Sequence, residues 1–97
     1  MHWTTLYEQK KCTAAQAVKK IRSGDRVVIG HAVSEPTRLV EAMVEDASRL
    51  RDVEVVHMIA MGASPYCKPE MAGHFRHNAL FVGASTRRAV EEGRADV

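Results

Sequence analysis

The stretch "RVVIGHAVSEPTRLVEAMV", Arg26 to Val44, decides the fold. It opens with a short run rich in β-branched residues, too short for a helix, which reads as a strand from Arg26 to Gly30. Polarity then breaks at "GHAVSEP". Pro36 can occupy the first turn of a helix, where a missing N–H costs nothing, with Ser34 or Glu35 before it as the cap. Leu39, Val40, Met43, Val44, Ala47 and Leu50 then make an apolar stripe at helical spacing. A strand that turns into a helix across a polar loop is the unit from which parallel sheets are built.

The alternation continues outward in both directions. Upstream, Thr13 followed by Gln16 is a capping-box pattern, and Ala14, Ala17, Val18 and Ile21 share a face, predicting a helix from Thr13 to about Arg22 that Gly24 ends. Downstream, "DVEVVHMIAMG" predicts a second strand, Val53 to about Ile59, so nearly continuous in apolar residues that cover on both faces is expected. "GASPYCKPEMAGHF" reads as an irregular connection with one helical turn near Glu70 to His74. "ALFVG", Ala79 to Gly83, is the third predicted strand, and Ser85 or Thr86 caps a short helix that Gly93 ends. The closing "ADV" looks like the approach to a fourth strand that does not arrive. The expected fold class is α/β, a mostly parallel sheet of three strands with helices packed on it. Such a sheet leaves edges bare and one face poorly covered, which suits part of something larger or an obligate partner.

Composition narrows the function classes. The 97 residues fit one small domain, 45% of them are hydrophobic, and the net charge of +2 is spread along the chain instead of forming a stripe interleaved with aromatics, so nothing points to nucleic acid. No apolar run approaches the roughly 20 residues that span a bilayer. "MHWTTLYEQKK" lacks the basic start, apolar stretch and small-residue cleavage site of a secretory signal, which points to the cytoplasm. There, Cys12 and Cys67 are expected as free thiols. His74 and His77, in "HFRH", tempt a metal reading, but no second cluster joins them and polar histidines closing loops account for them as well.

Parallel sheets bind ligands outside the carboxyl ends of their strands. Those ends are expected at Gly30-His31-Ala32, Ala60-Met61-Gly62 and Gly83-Ala84-Ser85, each with a glycine beside small residues. The chain has no G-x-G-x-x-G, no P-loop and no G-x-S-x-G elbow, so dinucleotide binding and a self-contained hydrolase are unsupported. The His31 imidazole is placed to donate to a carboxylate or thioester oxygen, with Glu35 and a helix start nearby; equally, the two side chains close the loop on each other. Arg87 and Arg88 stand between an anion-facing role and an ordinary exposed helix face. The residues alone do not name a reaction.

Taken together, "WTTLYEQKKCTAAQAV", "SGDRVVIGHAVSEP", "VEVVHMIAMGASPYCKPEM" and "HFRHNALFVGASTRRAVEEGRAD" resemble the N-terminal part of the acetyl-CoA hydrolase/transferase family, on the side of the 4-hydroxybutyrate and butyrate:acetate CoA-transferases. The resemblance covers nearly the whole chain, and "FRHNALFVG" and "EGRAD" are its most distinctive blocks. It implies that residues 1–97 are the N-terminal segment of the first of two related α/β domains, with the active site between the domains. It also implies transfer of CoA from an acyl-CoA to a small carboxylate such as acetate, butyrate or 4-hydroxybutyrate, through a glutamyl-CoA thioester.

On that resemblance the nucleophilic glutamate belongs to the C-terminal domain, so these residues supply no nucleophile and the chain alone is expected to be inactive. Coenzyme A enters as substrate, with no metal or other cofactor, and the full-length enzyme is expected to be a homo-oligomer without nucleic-acid or membrane partners. His31, Glu35, Met61 and Gly62 become candidates for lining the acyl or carboxylate pocket. Ser34 stands where glycine is commoner in the family, and its wider side chain would narrow that pocket. Two other readings remain beside this one: a free-standing small-ligand or acyl-CoA binding module, and a non-catalytic piece that completes another subunit.

Overall fold

The computed structural model describes residues 2–97. Four strands, β1 (Arg26–Ile29), β2 (Val53–His57), β3 (Phe75–Ala79) and β4 (Ala95–Asp96), form one parallel sheet in the order β1-β2-β3-β4. Val27 lies opposite Val55, Val55 opposite His77, and His77 opposite Ala95. Helices α1 (Trp3–Lys10), α2 (Ala14–Val18), α3 (Thr37–Glu45) and α4 (Arg87–Glu91) and several 3-10 turns supply the rest. Every crossover steps the same way along the sheet, and right-handed crossovers that never reverse direction all fall on one face. The core follows from that: Val18, Val40, Met43 and Leu50 pack with Ile29, Val53, Val55 and Phe75 on a single side.

The Thr13 capping box forms as the sequence predicts. Thr13 Oγ1 accepts from the Gln16 N–H at 3.1 Å, and Gln16 Oε1 accepts from the Thr13 N–H at 2.9 Å. The helix it opens stops at Val18 rather than near Arg22. The reason is tertiary: the Arg49 guanidinium, 31 residues on, donates to the Val18 carbonyl at 3.2 Å and to the Ile21 carbonyl at 2.9 Å. Those oxygens are satisfied without another helical turn.

Other expectations need correction. Pro36 is the N-cap of α3 rather than part of its first turn, and neither Ser34 nor Glu35 caps it. β2 ends at His57, and only one of its faces is covered: Val53, Val55 and His57 are buried, whereas Glu54 and Val56 are half-buried and Met58 is exposed. The third strand is "FRHNA", Phe75 to Ala79, not Ala79 to Gly83. Its inward residues are Phe75, His77 and Ala79, and His77 disguises it, since a histidine in a buried position reads as a loop. His77 is tolerated there because its Nδ1–H donates to the Val55 carbonyl at 3.1 Å.

The chain 65–71 holds two 3-10 turns, Pro65–Cys67 and Pro69–Met71, in place of one turn at Glu70 to His74. The fourth strand does arrive, with Asp96 opposite Asn78. Thr86 takes the N-cap position of α4, but its hydroxyl turns back to the N–H and carbonyl of Gly83. Leu39, placed in the apolar stripe of α3, is exposed. No periodic pattern before Thr13 predicts an element. α1 forms there with no buried residue, which is why no amphipathic stripe announced it.

Candidate functional site

The carboxyl ends of β1 and β2 lie side by side, and the loops that leave them are stitched together. The Ala32 N–H donates to the Ile59 carbonyl at 3.3 Å. The Met58 N–H donates to His31 Nδ1 at 3.1 Å, and the Gly62 N–H reaches Glu35 Oε1 at 3.4 Å. Since Nδ1 of His31 accepts, its neutral ring carries the proton on Nε2, and His31 is exposed, so that N–H is open to a ligand.

Glu35 is far from a surface cap. Its side chain is 6% exposed, and Oε1 stands 3.6 Å from Nε2 of His57. The carboxylate lies so close against Gly62 that a Cβ there would collide with Glu35 Oε2. That contact, rather than backbone freedom, is why a glycine follows Met61. Met61, the chain neighbour of Gly62, is itself exposed. Ala32, beside His31, holds a left-handed φ of 52°, and Ser64, before the next turn, holds 49°. For non-glycine residues this conformation costs about 1–3 kcal/mol each, and such strain gathers at functional loops.

The four candidates from the sequence, His31, Glu35, Met61 and Gly62, are therefore neighbours. Glu35 and Gly62 touch each other, while His31 and Met61 face solvent. The third strand-end triad, Gly83-Ala84-Ser85, is displaced because β3 ends earlier, and Gly83 instead backs onto Ala60, whose carbonyl would be 3.2 Å from a Cβ there. Ser85 hydrogen-bonds Ser64 at 2.8 Å. Arg87 remains exposed and Arg88 pairs with Glu92 at 2.7 Å, the ordinary helix-face arrangement. His74 and His77 serve backbone carbonyls, His74 Nδ1–H donating to Leu50 at 2.8 Å. Among the described residues no cluster of three or more metal-ligating side chains forms.

Sequence reasoning missed His57 and Tyr66. His57 is fully buried at the end of β2, with Nε2 3.1 Å from the Gly30 carbonyl and Nδ1 3.0 Å from the Tyr66 hydroxyl. Burial pushes its pKa below the ordinary histidine value, helped by His31, although Glu35 and the Gly30 carbonyl pull the other way. Burial also pushes the Tyr66 phenol up to about 12. Both groups are neutral near pH 7. The signal for His57 was present: the period of two puts it on the face of Val53 and Val55, where an imidazole needs partners for both nitrogens. Tyr66, between two prolines in an irregular stretch, carried no periodic signal.

A cleft of about 200 Å3, lined by Asp52, Gly73, Phe75 and Arg94 among others, opens at the amino ends of the strands. Parallel sheets do not place their ligands there. The candidate site is therefore the opposite edge, where the loops leaving β1 and β2 meet.

All 97 residues match the acetyl-CoA hydrolase/transferase N-terminal domain. The chain belongs to that family. It is 52% identical over 96 residues to the 4-hydroxybutyrate coenzyme A transferase of Clostridium kluyveri, covering 99% of this chain and 22% of that protein. To the butyryl-CoA:acetate CoA-transferase of Anaerostipes caccae it is 31% identical over 94 residues, 96% of this chain and 21% of the relative. The crystal structure of RipA from Yersinia pestis superposes with a TM-score of 0.85 at 26% identity, over 96% of this chain and 22% of that one. The segment thus spans about a fifth of the length of these acetyl-CoA hydrolase/transferase relatives, as an N-terminal portion. No helix among its described residues is long and apolar enough to cross a membrane.

Proposed function

We propose that the protein carrying this segment is a cytoplasmic CoA-transferase that moves CoA between an acyl-CoA and a small carboxylate, with acetate, butyrate or 4-hydroxybutyrate as the acid. A glutamate on a second α/β domain, outside these residues, attacks the thioester and carries CoA as a glutamyl thioester; coenzyme A is a substrate and no other cofactor takes part. The observation that carries the reading is His31. In a chain of this family its Nε2–H stands free at the carboxyl edge of a parallel sheet, where a thioester or carboxylate oxygen can accept it. Met61 supplies apolar surface to the acyl chain, and Glu35 with Gly62 forms the wall behind.

The partner that this reading requires is supported by the sheet itself. The face bearing Val28, which is 65% exposed, has no helix on it among the described residues, as expected where the remainder of a longer polypeptide packs. The same bare face also favours the reading of a piece that completes another subunit, in which this chain binds no ligand by itself.

The test is an exchange assay with labelled carboxylates on the complete protein. CoA transfer is expected, and His31→Ala lowers its rate roughly a hundredfold, the usual effect of losing one oxyanion donor, without unfolding the protein. An unchanged rate removes His31 from the pocket. The purified 97-residue chain is expected to transfer nothing, and turnover by it would refute the assignment of the nucleophile to another domain.

A further inference from the structure

The geometry points to His57 as a positioning residue that locks the loop after β1 to the loop after β2 and so fixes His31 and Glu35. It rests on the pocket reading above for its consequence to catalysis, though not for its geometry. The Gly30 carbonyl can only accept, so His57 Nε2 carries the ring proton and donates to it at 3.1 Å. Nδ1 is then a lone pair, and the Tyr66 O–H donates into it at 3.0 Å. One tautomer and one ring orientation satisfy both contacts.

Tyr66 is in turn held from two sides. Its ring lies 5.3 Å from that of His77, and the Arg94 guanidinium donates to the carbonyl of the adjoining Cys67. From this anchored ring the order passes to both pocket residues. Glu35 Oε1 lies 3.6 Å from the same Nε2, so the carboxylate stands close beside the neutral ring's N–H. The His31 ring stacks on the His57 ring, with centroids 6.0 Å apart and planes inclined by 28°. Of the three N–H contacts of the seam, only the one at Met58, 3.1 Å, is of ordinary length; those at Ala32 and Gly62, 3.3 and 3.4 Å, are long, and the side chain of His57 adds a further tie between the loops. A leucine at position 57 would fill the space but leave the Tyr66 hydroxyl without its acceptor and remove the N–H that stands beside Glu35. His57 orients the pocket at some expense in burial.

The deciding comparison is His57→Gln against His57→Asn in the complete protein. Glutamine keeps an N–H donor near the position of Nε2; asparagine is too short to reach Gly30 or Glu35. Hydrogen exchange followed peptide by peptide should show Ala32, Met58 and Gly62 exchanging about tenfold faster in His57→Asn than in wild type, with Val55 and His77 unchanged. His57→Gln should remain close to wild type in exchange and transfer CoA with kcat/KM about tenfold above His57→Asn. Equal behaviour of the two variants, faster exchange that includes the strands, or no change at the seam would each overturn the positioning role. Should wild type transfer no CoA to any offered acid, the transferase reading fails alone, and the exchange pattern still decides the positioning role. If His57→Asn does not fold, Tyr66→Phe tests the same seam, with faster exchange confined to those three amides expected and an unaltered seam counting against it.

Discussion

On one face of the sheet Val53, Val55 and Phe75 are buried under α2 and α3, with His57 and His77 among them; on the other, Arg26, Val28, Glu54 and Arg76 stand on the same strands without a helix above them. The buried face makes its polar groups neutral and gives each a partner. The open face keeps its charges and pairs them sideways. Arg26 reaches Glu54 at 2.6 Å, Asn78 donates to the other oxygen of Glu54 at 2.9 Å, and Arg76 grips Asp96 with two nitrogens at 2.7 and 2.8 Å. Val28, Val56 and Met58 supply the apolar surface of that face, on β1 and β2, with Asn78 and Asp96 level with the first two on β3 and β4. The contrast supports the proposal that the candidate site is ordered from beneath. The side chains that order the loops come from the covered face, and the uncovered one contributes none.

Substitutions can break that contrast, and the largest effect belongs under the helices. Leu50→Ala, at a position with no exposure, should cost about 2–5 kcal/mol in the denaturant unfolding of the complete protein, and a value below 1 kcal/mol would deny that this face is the core. Gly62→Ala forces a Cβ against the Glu35 carboxylate and should cost about 1–3 kcal/mol while loosening the loop seam. If it were neutral, Glu35 would not lie where the structure puts it.

Acid should act on the covered face as well. His57 and His77 both have folded pKa values below the unfolded value of 6.5, chiefly through burial. Between those values the unfolded chain holds more protons, so stability is fully present above about 6.5 and falls as pH drops through that window. A thermal melt series from pH 7.5 downward checks the sign, and rising stability on acidification would contradict it. Val28→Asp sharpens the other side of the comparison. In the complete protein it should lower the unfolding midpoint if later chain covers this face, whereas an unmoved midpoint shows Val28 facing water there too. The smallest effect is expected from Arg26→Ala, whose ion pair with Glu54 is solvent-exposed; the midpoint should hardly move, and less still in high salt.

The β1–α3–β2 alternation was legible because period and turn chemistry are local: "RVVI" cannot be a helix, and Val40, Met43 and Leu50 recur at helical spacing. β3 was legible only in part. Its alternation is regular, but His77 occupies a core position, and a polar residue is admitted there only if something distant accepts its N–H. The end of α2 was not legible for the same kind of reason, since Arg49, far along the chain, takes up its last carbonyls.

The sequence by itself determined an α/β segment with parallel strands, its resemblance to the N-terminal part of the acetyl-CoA hydrolase/transferase family, and the strand-end address of His31, Glu35, Met61 and Gly62. Only the tertiary structure decided how those residues are held. Gly30 meets His57, His31 meets Met58 and Glu35 meets Gly62, each pair 27 residues apart. That spacing is set by the register of β1 against β2, and a register is a property of two strands brought together, which no local pattern along one strand encodes.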